Sequence, residues 1–383
     1  MTYLLFGLAL AAVFYQFLAF ISLARFFRPR LNTPLPQPPP GVTVFKPVRG
    51  VEAFTRECLA SFLDQDYPSF QVLFGVADPG DPVLTVLRDL RAGAASEVEI
   101  VVCPERSDLN PKVNVLRQLE PRARHDIWVV ADSDVKVGRD FLGKTVAALL
   151  KQGGGLVSCP YRAGESATLG ARLEALTISA DFMPSVAVAH YVEDIRFALG
   201  AAMIFHREDL RRIGGFAALS DFLADDYQLG WQMHQAGAKV ALSPYVVETV
   251  NPEMTFPDYL LHQLRWTRTY RVCRPKGYLA YGITHALVWS LLAWAVSGLA
   301  GLGLGLAAAA LAIRLALAWF SERFCLQGRL PAAAFLLLPV KDLLAFGLWL
   351  LSFLGSEVAW QGARFRITPE GKLRPLGRPG LPQ

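Results

Sequence analysis

The chain has 383 residues, a formal charge of +5 at pH 7 and 53% hydrophobic residues. That length points to two or three units of domain size. The apolar surplus collects at the two ends with basic residues beside it, which argues for a membrane-facing protein and against a nucleic-acid binder. Five cysteines (Cys58, Cys103, Cys159, Cys273, Cys325) show no C-x-x-C spacing, so neither a disulfide framework nor a zinc site is indicated, in keeping with a reducing compartment.

Tyr3 to Ala24 is apolar and long enough to span a bilayer. Arg25, Arg28 and Arg30 follow at once, so residues 1–27 read as an uncleaved anchor with the downstream chain in the cytoplasm. A cleaved signal would carry its charges before the apolar run. Residues 28–41, with Pro34, Pro36 and Pro38-Pro39-Pro40, form a stiff linker.

Residues 42–255 alternate strand and helix patterns. Val42–Phe45, Gln71–Val76, Glu97–Val102 and Ile127–Val130 are predicted strands, and Phe54–Leu63 and Val83–Leu90 helices. The expected fold class is therefore α/β, a mainly parallel sheet with helices on both faces. No G-x-G-x-x-G follows the first strand, which argues against a dinucleotide-binding Rossmann reading. Residues 256–278 form an aromatic, basic segment in which Arg265, Arg268, Arg271 and Arg274 recur every three residues, as on an interfacial helix. Residues 279–357 are expected to hold transmembrane or re-entrant helices. Ala280–Ala318 reads as a hairpin broken at 298–305, with Arg314 snorkelling toward the cytoplasm. In Leu330–Leu354 the pair Lys341-Asp342 is costly at membrane depth unless it faces protein or a wet cavity, and the segment reads as re-entrant or interfacial. Residues 358–383 read as a basic tail (Arg364, Arg366, Lys372, Arg374, Arg378).

Four features in order could carry chemistry: Asp78 after the second strand, Asp132-Ser133-Asp134 after the fourth, Asp225-Asp226 before a helix, and Arg265-Trp266. Ligands of open α/β sheets bind at the carboxyl ends of strands, and Asp-x-Asp there is a hard oxygen site suited to Mg²⁺ or Mn²⁺. A turn that caps the next helix explains the same residues, and Asp225-Asp226 also suits a helix N-terminus without any catalytic duty. Transfer from a nucleotide-sugar needs a carboxylate for the nucleoside, a metal for the diphosphate, a base for the acceptor hydroxyl and a cation or aromatic to close over the phosphates. The set offers one candidate for each. Gly138 to Thr145 matches G-x-x-x-x-G-K-[ST], but its strand has already ended several residues earlier, so it reads as a helix start rather than a P-loop.

Together with these features, Phe45-Lys46-Pro47-Val48-Arg49-Gly50, Asp66-Tyr67-Pro68, Asn110-Pro111-Lys112-Val113-Asn114, Gly214-Gly215-Phe216 and Asp225-Asp226-Tyr227 resemble the ceramide glucosyltransferase family over about residues 42–275. The resemblance implies a GT-A fold and inverting transfer of glucose or N-acetylglucosamine from a UDP-sugar to a membrane-lipid hydroxyl. By the same likeness Asp78 would hold uridine, Asp134 the metal with Asp132 in support, and Asp226 would be the general base beside Asp225. Lys112 would approach the nucleotide, and Arg265 and Trp266 would end a [Gln/Arg]-x-x-Arg-Trp motif. His262 stands where Gln or Arg is expected, and Asp225 where Glu is usual. The acceptor is expected to be ceramide or, as in a similar bacterial group, a hopanoid. A processive polysaccharide synthase would share the Asp and Arg-Trp set but needs a channel that these few apolar segments do not supply, and a catalytically silent nucleotide- or lipid-binding membrane protein is the third reading.

Overall fold

In the computed structural model the described residues are 2–28, 34–298, 301–360 and 362–376. Arg30, Arg378, residues 29–33 of the linker and residues 299–300 of the expected hairpin break lie outside them. In chain order the first helices are α1 (Thr2–Phe27), α2 (Thr55–Ser61), α3 (Val83–Ala92), α4 (Pro111–Leu119), α5 (Phe141–Gln152), α6 (Leu169–Thr177) and α7 (Met183–Val192). There follow α8 (Arg207–Arg212), α9 (Asp225–Gln235), α10 (Phe256–Cys273), α11 (Pro275–Tyr281), α12 (Ala286–Val296), α13 (Gly301–Phe320) and α14 (Leu338–Ser352). The strands are β1 (Val42–Val48), β2 (Phe70–Val76), β3 (Glu97–Val102), β4 (Ile127–Ala131), β5 (Val135–Lys136), β6 (Leu156–Ser158), β7 (Tyr161–Ala163), β8 (Ala202–His206), β9 (Val240–Leu242), β10 (Val247–Thr249), β11 (Glu357–Trp360), β12 (Ala363–Ile367) and β13 (Leu373–Pro375).

The chain divides into two compact units, Pro29–Tyr161 with Ile195–Val250, and Met1–Arg28 with Arg162–Asp194 and Asn251–Gln383. The continuous stretch expected over 42–255 is thus interrupted. Residues 162–194 group with the apolar ends, because α7 and the turn before it bury apolar side chains such as Ala180 and Ala187 against Ala318 and Leu317.

The first unit is built on a seven-stranded sheet of order β3-β2-β1-β4-β8-β6-β9. The pairs β1–β2, β2–β3, β1–β4 and β6–β9 are parallel, and β8 runs antiparallel to β4 and β6. All five residues of β4 are buried, as a central strand covered on both faces requires. Register aligns Val48 with Val76 and Phe45 with Val130, so β1, β2 and β4 end along one carboxyl edge. Phe45, Leu73, Trp128 and Val130 pack with Val113, Leu116 and Leu119 of α4 and with Phe216. The Trp128 and Phe216 rings stack at 6.0 Å. Gly214 and Gly215 take φ of +96° and +72°, which a side chain would resist; they stop α8 and turn Phe216 inward.

The second unit is helical. Thr2–Phe27, Gly301–Cys325 and Ala332–Ser352 are long and apolar enough to cross a membrane, and Pro275–Thr284 with Ala286–Val296 forms a fourth candidate bent by 55°. α12 and α13 supply the two arms expected over 280–318. The last segment, expected to be re-entrant or interfacial, is one helical stretch of 21 residues, long and apolar enough to cross a membrane. Its charges need not leave the apolar layer because they are neutralised internally. Arg314 does not snorkel either. It is 4% exposed, and its guanidinium meets Asp342 at 2.6 and 2.9 Å, Asp181 at 2.8 Å and the Ala180 carbonyl at 2.7 Å. Lys341 pairs with Asp342 at 2.9 Å and also with Asp181. The basic tail is structured as well: β11, β12 and β13 form an antiparallel meander, burying Val358, Phe365, Ile367 and Leu373 while Arg364 and Arg366 face outward to Glu357.

Candidate active site

The site begins where β4 stops. Asp132 donates its N–H to the Ala201 carbonyl at 3.2 Å, and the Val135 N–H closes a turn on the Asp132 carbonyl at 3.2 Å. The turn leaves the Asp132 and Asp134 side chains at the strand's carboxyl end. Two helix N-termini face it. Asn110 caps α4, its side chain accepting from the N–H groups of Lys112 and Val113 at 3.0 and 3.1 Å, with Pro111 preset for the first helical position. Its amide donates to Asp225 Oδ1 at 3.4 Å and to the Phe222 carbonyl at 2.9 Å. Lys112, the second residue of the helix, places its ammonium 2.6 Å from Asp132 and 3.4 Å from Asp225. Asp225 and Asp226 open α9, where acids suit the helix dipole, and Asp226 Oδ1 accepts from the Tyr227 N–H at 2.7 Å.

Asp132, Asp134, Asp225, Asp226 and Lys112 therefore converge, drawn from three elements far apart in sequence. Asp78 lies on the same edge, two residues past β2, exposed and closing a turn to the Gly80 N–H at 2.8 Å. It makes no direct contact with the cluster among the described residues. The Gly138–Thr145 stretch is the helix start expected for it: Asp140 precedes α5 and pairs with Lys144 at 2.5 Å, one helical turn on.

Three residues escaped the sequence reading as site residues. Lys46 is fully buried in β1, with its ammonium bonded to the Asp132 carbonyl and 4.0 Å from the Phe62 ring. A lysine inside an otherwise apolar strand is the signal that marks it. Asn110 has a helix-cap signature but also holds Asp225. Gly200 lies so close to Asp226 that a Cβ would stand 2.7 Å from Oδ2, a constraint no local pattern shows.

Burial pushes the Asp226 carboxyl up to about 6, helped by Asp225 and opposed by Lys112. Asp134 likewise rises to about 6 through burial and Asp132, opposed by Lys46. Burial lowers Lys46 to about 8 despite Asp134. For Lys112 burial pulls downward, but Asp132 and Asp225 together hold it well above the usual lysine range. Four carboxylates thus face two ammonium groups. Asp134 has no ion-pair partner among the described residues, which leaves its carboxylate available as an oxygen ligand, although no three or more His, Cys, Asp or Glu side chains among the described residues are grouped to hold a metal ion by themselves.

The other three predicted residues lie on α10, in the helical unit. Trp266 sits between Phe182 (5.6 Å) and His262 (4.7 Å), and Arg265 beside it is half-buried. His262 Nδ1 is 3.3 Å from Glu174, outside hydrogen-bond geometry, while Gln263 donates to the same carboxylate at 2.7 Å. Arg268, Arg271 and Arg274 are held by protein oxygens, those of Glu357, Gly355 (2.7 Å) and Glu193.

The model of glycosyl transferase family 21 matches residues 4–373. The chain belongs to that family. Ceramide glucosyltransferase 1 of Caenorhabditis elegans is 20% identical, over 88% of this chain and 73% of that protein. The ceramide glucosyltransferase of Pyricularia oryzae is 22% identical over 95% and 94%. That of Komagataella phaffii is 32% identical, but the match spans 34% of this chain and only about a quarter (26%) of that protein. Among solved structures, a mannosyltransferase from Pyrobaculum calidifontis in complex with GDP-Man and Mn²⁺ superposes with a TM-score of 0.56 at 21% identity, covering 92% of this chain and 98% of its own. Family 21 membership and this likeness identify the sheet unit as a GT-A-like glycosyltransferase fold, joined in the same chain to helices able to cross a membrane.

Proposed function

We propose that this family 21 protein transfers a hexose, glucose or N-acetylglucosamine, from a UDP-sugar to the hydroxyl of a membrane lipid, ceramide or a hopanoid, with inversion at the anomeric carbon. The observation that carries the reading is the convergence of Asp132, Asp134, Asp225, Asp226 and Lys112 at the carboxyl edge of the sheet. Asp226 takes the acceptor proton as the acceptor oxygen bonds to the anomeric carbon and the bond to the diphosphate breaks. Its elevated affinity for protons suits a general base near neutral pH. Lys112 holds Asp225 and Asp132 in place around it. Asp134, supported by Asp132, would hold Mg²⁺ or Mn²⁺, which when bound supplies positive charge to the departing diphosphate. Asp78 is assigned the uridine, and Arg265, Trp266 and His262 the donor's phosphates and sugar, by family likeness. The basic residues Arg25 and Arg28 just after the first apolar helix support a catalytic unit on the cytoplasmic side.

The test is direct: purified protein is given UDP-glucose or UDP-N-acetylglucosamine with ceramide or a hydroxylated hopanoid, with Mg²⁺, Mn²⁺ or chelator. A glycolipid of inverted configuration is expected, dependent on the cation. A polymer would replace this reading with a synthase, and donor binding without transfer would replace it with a silent binding protein.

A further inference from the structure

The meander β11–β13 is joined to α14 by residues 353–356 alone, a reach of at most about 18 Å, so it stays close to the end of that helix. The joint is apolar and open: Leu350, Leu351, Phe353 and Leu354 are exposed, Leu354 by 80%, as side chains that meet acyl chains would be. The two faces of the meander differ. Alternation along the strands turns Val358, Phe365, Ile367 and Leu373 inward. Register sets Arg366 opposite Glu357 on one side and Arg374 on the other, with Arg364 opposite Ala359. The outer face therefore carries Arg364, Arg366 and Arg374, and exposed Lys372 shares it two residues before Arg374. The acids of residues 353–376 are Glu357 and Glu370, so four bases outweigh two acids. Arg268 and Arg271 of α10, bonded to the carbonyls of Glu357 and Gly355, hold the sheet in place.

Contacts within the helical unit show at which end of α1 this happens. α13 runs parallel to α1, with Ala310 beside Ala12 and Phe320 stacked on Phe20 at 4.2 Å, so it finishes toward Phe27. α11 starts there too: at the end of α7, Glu193 meets Arg274 and Tyr191 meets Arg25. α14 returns to the same end, because Tyr278 of α11 donates to Ser352 Oγ at 3.0 Å and its carbonyl accepts from Trp349 Nε1 at 3.1 Å. We propose that α14 enters and leaves at the membrane face on which α1 ends, and that the outer face of the meander docks on anionic phospholipid headgroups of that leaflet. Bases held next to a membrane helix are drawn to an anionic leaflet, and the short tether keeps these four there. The exposed leucines of the joint give the same boundary an apolar side.

The test uses the full-length protein with Cys273→Ser, its other cysteines being buried, and a bimane attached to the outer face through Ala359→Cys. The protein is placed in nanodiscs that include a lipid with a nitroxide on its headgroup. Quenching should be weak in phosphatidylcholine alone, deepen as phosphatidylglycerol is added, and reverse in high salt. Arg374→Gln should raise the phosphatidylglycerol fraction needed for half the effect about fivefold, the factor that corresponds to ~1 kcal/mol per base. In oriented vesicles, the thiols introduced by Ala359→Cys and, separately, by Gln37→Cys in the linker should be blocked by an impermeant maleimide from the same face. Labelling from opposite faces, or quenching indifferent to any one of phosphatidylglycerol, salt or Arg374→Gln, would overturn the proposal and leave the meander a solvated surface. Neither readout involves donor or transfer, so this inference and the transferase reading fail separately.

Discussion

At the scale of single residues, the site is a contest between burial and charge, and Asp226 is where it matters most. Replacing Asp226 by Asn keeps shape and removes proton affinity. Turnover is expected to fall at least ~10²-fold while donor binding, followed by calorimetry, changes little; equal losses in both would assign Asp226 to binding. Because burial and Asp225 raise this carboxyl to about 6, its basic form is present above that pH and lost below it. The profile of kcat/KM should therefore rise through about pH 6 to a plateau, and a flat profile from pH 5 to 8 would show that another group takes the proton. Gly200→Ala tests the geometry without altering any charge. The added methyl must displace the carboxylate it would crowd at 2.7 Å, so turnover should drop while melting temperature moves by a few degrees at most. The aspartates were legible in sequence because each follows a readable strand or opens a readable helix. Lys46 and Gly200 were not, because their partners Asp132 and Asp226 stand 86 and 26 positions away and proximity of that kind has no local signature.

At the scale of elements, the central strands β1, β2 and β4 could be read because their apolar runs are covered on both faces, and the edge strand β3, with no fully buried residue, was still predicted to its ends. β1 runs three residues further than expected, through Lys46, since a charged residue there finds the Asp132 carbonyl rather than solvent. The meander β11–β13 went unread because alternating arginines mimic a disordered tail. Its register is held partly from outside, by Arg268 and Arg271 reaching the carbonyls of Glu357 and Gly355. The element most exposed to a single change is the start of α4. Asn110→Ala removes two cap bonds and the tie to Asp225, which should cost about 1–2 kcal/mol in stability. It should also lower turnover, since Asp225 shapes the proton affinity of its neighbour. Chemical denaturation and a steady-state assay on the same preparation check both; lost stability at full turnover would make the Asn110–Asp225 contact incidental.

At the scale of the whole chain, the ionic cluster explains why residues 162–194 belong with the termini. Asp181 comes from that insert, Gln16 from α1, Arg314 from α13, and Lys341 and Asp342 from α14, so one network joins the insert to the first helix and the last two. Each charge alone would be expelled from an apolar layer, and together they cancel. This is why the expected snorkelling of Arg314 does not occur: the sequence shows the charges but not that they meet. A single truncation should then harm more than a paired one. Arg314→Leu leaves Asp342 and Asp181 with only Lys341, and should cost roughly 3–5 kcal/mol, read as a much shorter thermal half-life in detergent. Arg314→Leu with Asp342→Leu restores neutrality between Lys341 and Asp181, and should recover a large part of that loss. A double-mutant cycle isolates the coupling. If the two losses simply add, the pair is a packing contact, and the helical unit is held by its apolar surfaces without the network.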